Sequence, residues 1–166
     1  MRTSPNRRKR RLIRPDGPPD DLMIVIRATP NSRTEAAEQI ADSASLSARV
    51  YVIELAEGIR HVLFGVSVFA HPDGQDVSTV LDRFAAAPMF VEAPVGALRR
   101  AGFEVLPTGE NPNHYDIQLL GGVTEDEPTP SDEVIRAAAA RLLDAAGDLR
   151  PNPSYAGSAD NQSEEE

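Results

Sequence analysis

The chain has 166 residues, no cysteine and a formal net charge of −9 at pH 7. That length holds one ordinary domain, and the lack of cysteine removes disulfides, thiolate nucleophiles, Cys-ligated zinc and iron–sulfur clusters together. No apolar run nears the roughly 20 residues of a membrane span and no apolar stretch of signal-peptide type follows the basic start, so a cytoplasmic protein without membrane contact is expected.

Charge is unevenly distributed. Residues 1–14 contain Arg2, Arg7, Arg8, Lys9, Arg10, Arg11 and Arg14 with no acid, whereas the chain closes on Glu164-Glu165-Glu166. Lys9 is the only lysine while arginine, alanine, proline and aspartate abound, a pattern that fits GC-rich bacterial coding. Residues 1–20 combine self-repelling charge with Pro5, Pro15, Pro18 and Pro19 and have no apolar face to offset ordering entropy, which predicts a disordered basic arm.

Leu22 to Ile26 is a continuous apolar run of the kind buried on both faces of a sheet. Ser32-Arg33-Thr34-Glu35 has capping-box spacing, and Ala36, Ala37, Ile40, Ala41 and Ala44 follow at helical intervals. Tyr51, Ile53 and Leu55 alternate as a second strand. Leu63 to Phe69, uncharged on both alternating sets, is expected as one central strand. After the turn at His71-Pro72-Asp73-Gly74, Val77, Val80, Leu81 and Phe84 fall on one side of an amphipathic helix.

Pro94 opens a short helix through Val95, Leu98 and Ala101 that Gly102 ends, and Phe103 to Leu106 reads as a short strand. Tyr115, Ile117 and Leu119 alternate with Asp116 and Gln118 as a half-exposed strand. Thr124 to Pro130 is a linker, with Thr129 as the expected cap of a last helix carrying Val134, Ile135, Ala138 and Leu142 on one side. The expected fold is therefore a single α/β or α+β domain over residues 21–150. Its mixed sheet has about 4–5 strands with about 3–4 helices, and a disordered acidic tail follows over 151–166.

The segments Phe64 to Phe69, Val95 to Gly102, His114-Tyr115 and Arg150 to Pro153 resemble an uncharacterised group of short proteins from GC-rich bacteria. The resemblance spans residues 21–153. It implies one domain and no particular activity.

No P-loop or dinucleotide fingerprint is present, and His61, His71 and His114 are spaced too widely to announce a metal site, so neither a cofactor nor a metal is implied. Gly65-Val66-Ser67 begins a nucleophile elbow but continues as strand, which makes Ser67 a packed residue on the simplest reading. Arg27, Ser67 and Asp116 lie on the first, third and last of the main expected strands. That order is the one small ADP-ribosyltransferase-like domains use for a phosphate-binding arginine, a serine and an acid, although the usual acid is glutamate. The chemistry would be a bidentate cation on phosphate and a carboxylate opposite positive charge developing at a glycosidic carbon.

The arm supplies a second candidate. Arg7, Arg8, Lys9, Arg10 and Arg11 form an electrostatic surface for nucleic acid, but no aromatic residue accompanies them to stack on bases, and an acidic protein or the chain's own tail fits equally. Asn113, His114 and Tyr115 are read as a polar loop of binding type. Without catalytic spacing, the expectation is a noncatalytic interaction or accessory domain with a protein partner, a homo-oligomer being open. The alternatives are an ADP-ribosyltransferase-like enzyme using NAD and a nucleic-acid accessory protein acting through the arm.

Overall fold

The computed structural model describes residues 8–15, 17–28, 32–54, 58–71 and 77–155. In chain order the elements are β1 (Lys9–Arg10), β2 (Met23–Ala28), α1 (Arg33–Val50), β3 (Tyr51–Glu54), β4 (Arg60–Val62), β5 (Gly65–Ala70), α2 (Ser78–Leu81), β6 (Met89–Pro94), α3 (Val95–Arg100), β7 (Glu104–Leu106), β8 (His114–Gln118), α4 (Asp132–Ala145) and β9 (Arg150–Pro151). They form an α+β domain with an antiparallel six-stranded sheet, in the order β7-β8-β5-β2-β6-β9, and a three-stranded sheet, β1-β3-β4. The larger sheet exceeds expectation because β6 and β9 extend it beyond β2. The strands β2 and β5 hold its centre.

Local chemistry accounts for the helices. Ser32 Oγ accepts the Glu35 N–H at 3.2 Å, which starts α1 at the expected cap. The buried side chains of α1 are Ala36, Ala37, Ile40, Ala41, Ala44 and Ala48, small enough for close approach of α4 and its Ile135, Ala138, Ala139, Leu142 and Leu143. Ser131, not Thr129, caps α4, with Oγ 3.3 Å from the Val134 nitrogen, and Val134 faces solvent. At the end of α3, Gly102 adopts φ +97° while Phe103 N–H donates to Leu98 and Gly102 N–H to Arg99, a paired closure that requires the left-handed conformation.

Side-chain alternation divides the six-stranded sheet into two faces. Ile24, Ile26, Val66, Val68, Tyr115 and Ile117 pack on the α1/α4 side. On the other face, Val25 and Phe90 are covered by Val80, Leu81, Phe84 and Ala87. The expected amphipathic helix there is shorter, consisting of α2 and a 3₁₀ turn over Asp82–Phe84. Buried Asn152 donates to the carbonyls of Phe84 and Ala87 at 3.0 and 2.8 Å, pinning that turn to the chain after β9.

Two further expectations are corrected. The Leu63–Phe69 strand breaks at Leu63-Phe64, where the chain passes from the small sheet to the large one. Backbone groups freed there are taken up by side chains: Ser47 Oγ donates to Leu63 O at 2.7 Å, and Gln118 Oε1 accepts Phe64 N–H at 2.7 Å. The strand β8 is buried at every position rather than half exposed, because its polar side chains are bonded by neighbouring segments: His114 by Ser67 and Thr108, Asp116 by Thr108, and Gln118 by the backbone at Val62 and Phe64.

The described residues near both ends also contact the domain. From Arg8 onward the arm lies on the domain. Lys9–Arg10 pair in parallel with Tyr51 and Val52, and Ile13 bridges to Thr108. Arg8 donates to the Ala48 carbonyl in the last turn of α1, where unpaired carbonyls accumulate, and Arg10 pairs with Glu54 at 2.9 Å. At the other end the described chain runs past residue 150 to Tyr155, with Ser154 Oγ donating to Asp82 at 2.7 Å. Arg7 and Glu164 to Glu166 lie outside the described residues.

Candidate functional site

The two central strands, β2 and β5, share a short ladder whose Cα partners are Ile24–Ala70 and Val25–Phe69. By contrast, β5 pairs with β8 along its length from Gly65–Gln118 to Phe69–His114. A groove of about 340 Å³ opens where the β2–β5 ladder stops, lined by Arg27 of β2, Gly65, Val66 and Ser67 of β5, Asp116 of β8 and one side of α1. Arg11 and Tyr51 also line it. The three residues singled out from separate strands, Arg27, Ser67 and Asp116, thus come together.

Register explains the meeting. Ser67 stands directly opposite Asp116, and continuing the β2–β5 register sets Arg27 across from Ser67 on its other side. All three belong to the face away from α4. His114, two residues before Asp116, is on that face as well, diagonal to Ser67 and within reach across an antiparallel pair.

A hydrogen-bonded chain runs beneath the groove. Asp116 Oδ2 accepts from Thr108 Oγ1 at 2.6 Å. His114 Nδ1 lies 3.0 Å from the Thr108 carbonyl and 3.1 Å from Thr108 Oγ1. A carbonyl only accepts, so in the neutral imidazole Nδ1 carries the proton and Nε2 is the acceptor. Ser67 Oγ, 2.7 Å from Nε2, is therefore the donor. The order of donation is Ser67 to His114 to Thr108 to Asp116.

The surroundings hold this chain in place. Arg11 Nε is 3.8 Å from Asp116 Oδ2, and the guanidinium lies over Tyr51 with its carbon 5.0 Å from the ring centroid. The Phe69 ring meets His114 edge-on at 5.1 Å. At Gly65 a methyl group would sit 2.9 Å from Asp116 Oδ1 and 3.1 Å from Leu63 Cγ, so glycine leaves the room that the carboxylate occupies. Gly65→Ala is expected to displace Asp116 and destabilise the fold by about 1–3 kcal/mol, measured by urea unfolding; unchanged stability would mean that the carboxylate moves without cost.

Other candidates are distributed differently. Asn113 lies in the turn before β8, its N–H bonded to Asn111 Oδ1 at 2.8 Å, while His114 and Tyr115 belong to the buried strand and not to a loop. His71 lies elsewhere, with Nε2 3.6 Å from Glu92 Oε1, which Arg150 contacts at 3.0 Å. No group of three or more His, Cys, Asp or Glu among the described residues is arranged to hold a metal ion.

Sequence reasoning missed Thr108, Arg11 and Gly65 as members of the site. Thr108 sits in the Pro107-Thr108-Gly109 turn, and no periodicity or motif distinguishes it. In the sequence Arg11 is one of several cations of the arm, and the docking of the arm on β3 and at Thr108 brings it to Asp116. No helix among the described residues is long and apolar enough to cross a membrane. Comparison of the chain with protein-family models, with curated proteins and with solved structures finds no match.

Proposed function

We propose that the chain is a small-molecule-binding domain whose ligand carries an anionic group and enters the groove between β2 and β5. The observation that carries this reading is the convergence of Arg27, Ser67 and Asp116 from three adjacent strands on one groove. A concave site with a few converging polar groups and apolar walls suits a small ligand. Here Ile40, Leu46, Val50 and Val66 are the apolar lining, and Arg27 is the cation placed to meet a phosphate or carboxylate.

The expectation from sequence, an interaction or accessory domain with a protein partner, has less support so far as it works through the arm. From Arg8 to Arg14 the arginine side chains contact the domain itself, through Ala48, Glu54, Asp116 and the carbonyls around β8. Exposed Lys9 remains for an outside partner. A dinucleotide ligand is the narrower version of the groove reading, supported by the shared lining of the Arg27, Ser67 and Asp116 set. The bonds that Asp116 already makes to Thr108 and Arg11 weigh against its serving a ribose.

Thermal unfolding tests the proposal with NAD, ADP-ribose and inorganic phosphate against an uncharged nucleoside. A ligand at about one hundred times its Kd stabilises the folded state by about 2.7 kcal/mol through mass action. An anionic ligand is expected to raise Tm in the wild type and to lose that effect in Arg27→Ala. Equal melting of the wild type at millimolar concentrations of all of them would discard the reading.

A further inference from the structure

We propose that Ser67 and His114 form a nucleophile–base pair that cleaves carboxylic esters bound in the groove. The inference rests on the reading of that groove as a small-molecule site and adds a reaction to it. Three observations carry it. Ser67 Oγ is 2.7 Å from His114 Nε2, and Ser67 lines the groove. The Thr108 carbonyl, 3.0 Å from Nδ1, fixes the tautomer in which Nε2 receives the serine proton. The Thr108 hydroxyl, itself donating to Asp116, supports the same nitrogen from a second direction.

This is the arrangement general-base activation requires: a hydroxyl within hydrogen-bond reach of an imidazole whose other nitrogen is oriented by a third group. Triads of this logic are recognised by geometry and not by position in the chain. Thr108 and Asp116 are positioning residues in this scheme, since they act through His114. Burial strengthens the case. His114 is 8% exposed and Asp116 5%, and apolar side chains at such central sheet positions would avoid the desolvation cost that a polar chain carries.

The reaction balances with water as the only co-reactant. Ser67 Oγ attacks the ester carbonyl carbon as its proton passes to His114 Nε2, and the carbonyl π electrons move onto oxygen. Collapse of the tetrahedral species breaks the bond to the leaving oxygen, which takes the proton from Nε2 and departs as an alcohol. Water then attacks acyl-Ser67, giving a proton to Nε2, and the acid leaves as the proton returns to Ser67 Oγ. Arg27 and Arg11 line the groove, with their guanidinium groups over Phe84 and Tyr51, and are the cations that an oxyanion formed there would draw on. The substrate class is a small ester with an apolar part against Leu46, Val50 and Tyr51 and an anionic part toward Arg27.

The test uses the full chain, an alkyl fluorophosphonate and p-nitrophenyl butyrate. One covalent adduct is expected by intact mass, mapped to Ser67 by peptide sequencing, together with p-nitrophenol release. Ser67→Ala should abolish both. His114→Gln keeps a hydrogen-bonding side chain but supplies no base, and it should slow adduct formation about 10²-fold or more. Each variant is compared at equal folded fraction by circular dichroism, and Arg49→Ala, outside the hydrogen-bonded chain, should label at the wild-type rate. Absence of an adduct in folded wild type, or labelling at the wild-type rate in His114→Gln, overturns the proposal. If an anionic ligand still raises Tm in that case, the groove reading survives without the reaction.

Discussion

Replacing Arg14 with alanine is expected to lower the unfolding free energy by about 3 kcal/mol, the upper range for hydrogen bonds made by a charged donor. The guanidinium donates to four carbonyls, those of Thr108 at 2.7 Å, Gly109 at 3.2 Å, Pro112 at 3.2 Å and His114 at 2.9 Å. Its carbon also stands 5.3 Å from the Tyr115 ring centroid. These bonds gather the turn between β7 and β8 around one cation, and the Arg14 N–H adds a backbone bond to Pro107 at 2.7 Å. Arg14→Lys should recover little, because a single ammonium cannot reach four acceptors in a plane. Urea unfolding measures the loss, and limited proteolysis should show faster cleavage at residues 8–15. A variant as stable as wild type would mean that water serves those carbonyls equally well.

Asp116→Ala is the second large effect, expected at about 3 kcal/mol, the lower end for breaking a buried ion pair. The lower end applies because Arg11 keeps 29% of its side-chain surface in water, against 8% for Asp116. Loss of the carboxylate leaves the Thr108 hydroxyl without its acceptor at 2.6 Å and Arg11 without its counter-charge. Asp116→Asn retains an acceptor for Thr108 and removes only the charge, so its loss should be clearly smaller. Chemical denaturation of the two variants side by side gives the comparison. Equal losses would assign the whole effect to the ion pair.

Both predictions concern contacts that no local pattern announces. The run Leu22 to Ile26 and the uncharged stretch Leu63 to Phe69 marked the central strands, because segments rich in β-branched and aromatic residues without charge suit burial on both faces. The Ser32 cap, the Gly102 closure and the alanine face of α1 were equally legible, since each depends on residues within one or two turns. The strand Met89–Pro94 went unread although Phe90, Val91 and Ala93 are buried there. It lies between Pro88 and α3, ends on Pro94 itself, and gains its stability from pairing with β2 along six positions. Asp116 and Gln118 made β8 look half exposed, because alternation reports polarity and cannot tell a solvated polar group from one satisfied inside.

The candidate site divides in the same way. Composition excluded cysteine chemistry, and residue type was enough to single out Arg27, Ser67 and Asp116 as groups worth following. Strand register then decided which of them meet, because a cross-strand neighbour is set by pairing between segments about 50 residues apart and leaves no trace in either segment alone. The Ser67–His114 bond is of this kind, as is the contact of Arg11 with Asp116. The basic arm shows the limit most clearly. Its sequence specified charge and a poor capacity to bury apolar surface, whereas its docking from Arg8 to Arg14 depends on carbonyls and carboxylates that only the folded sheet brings within reach.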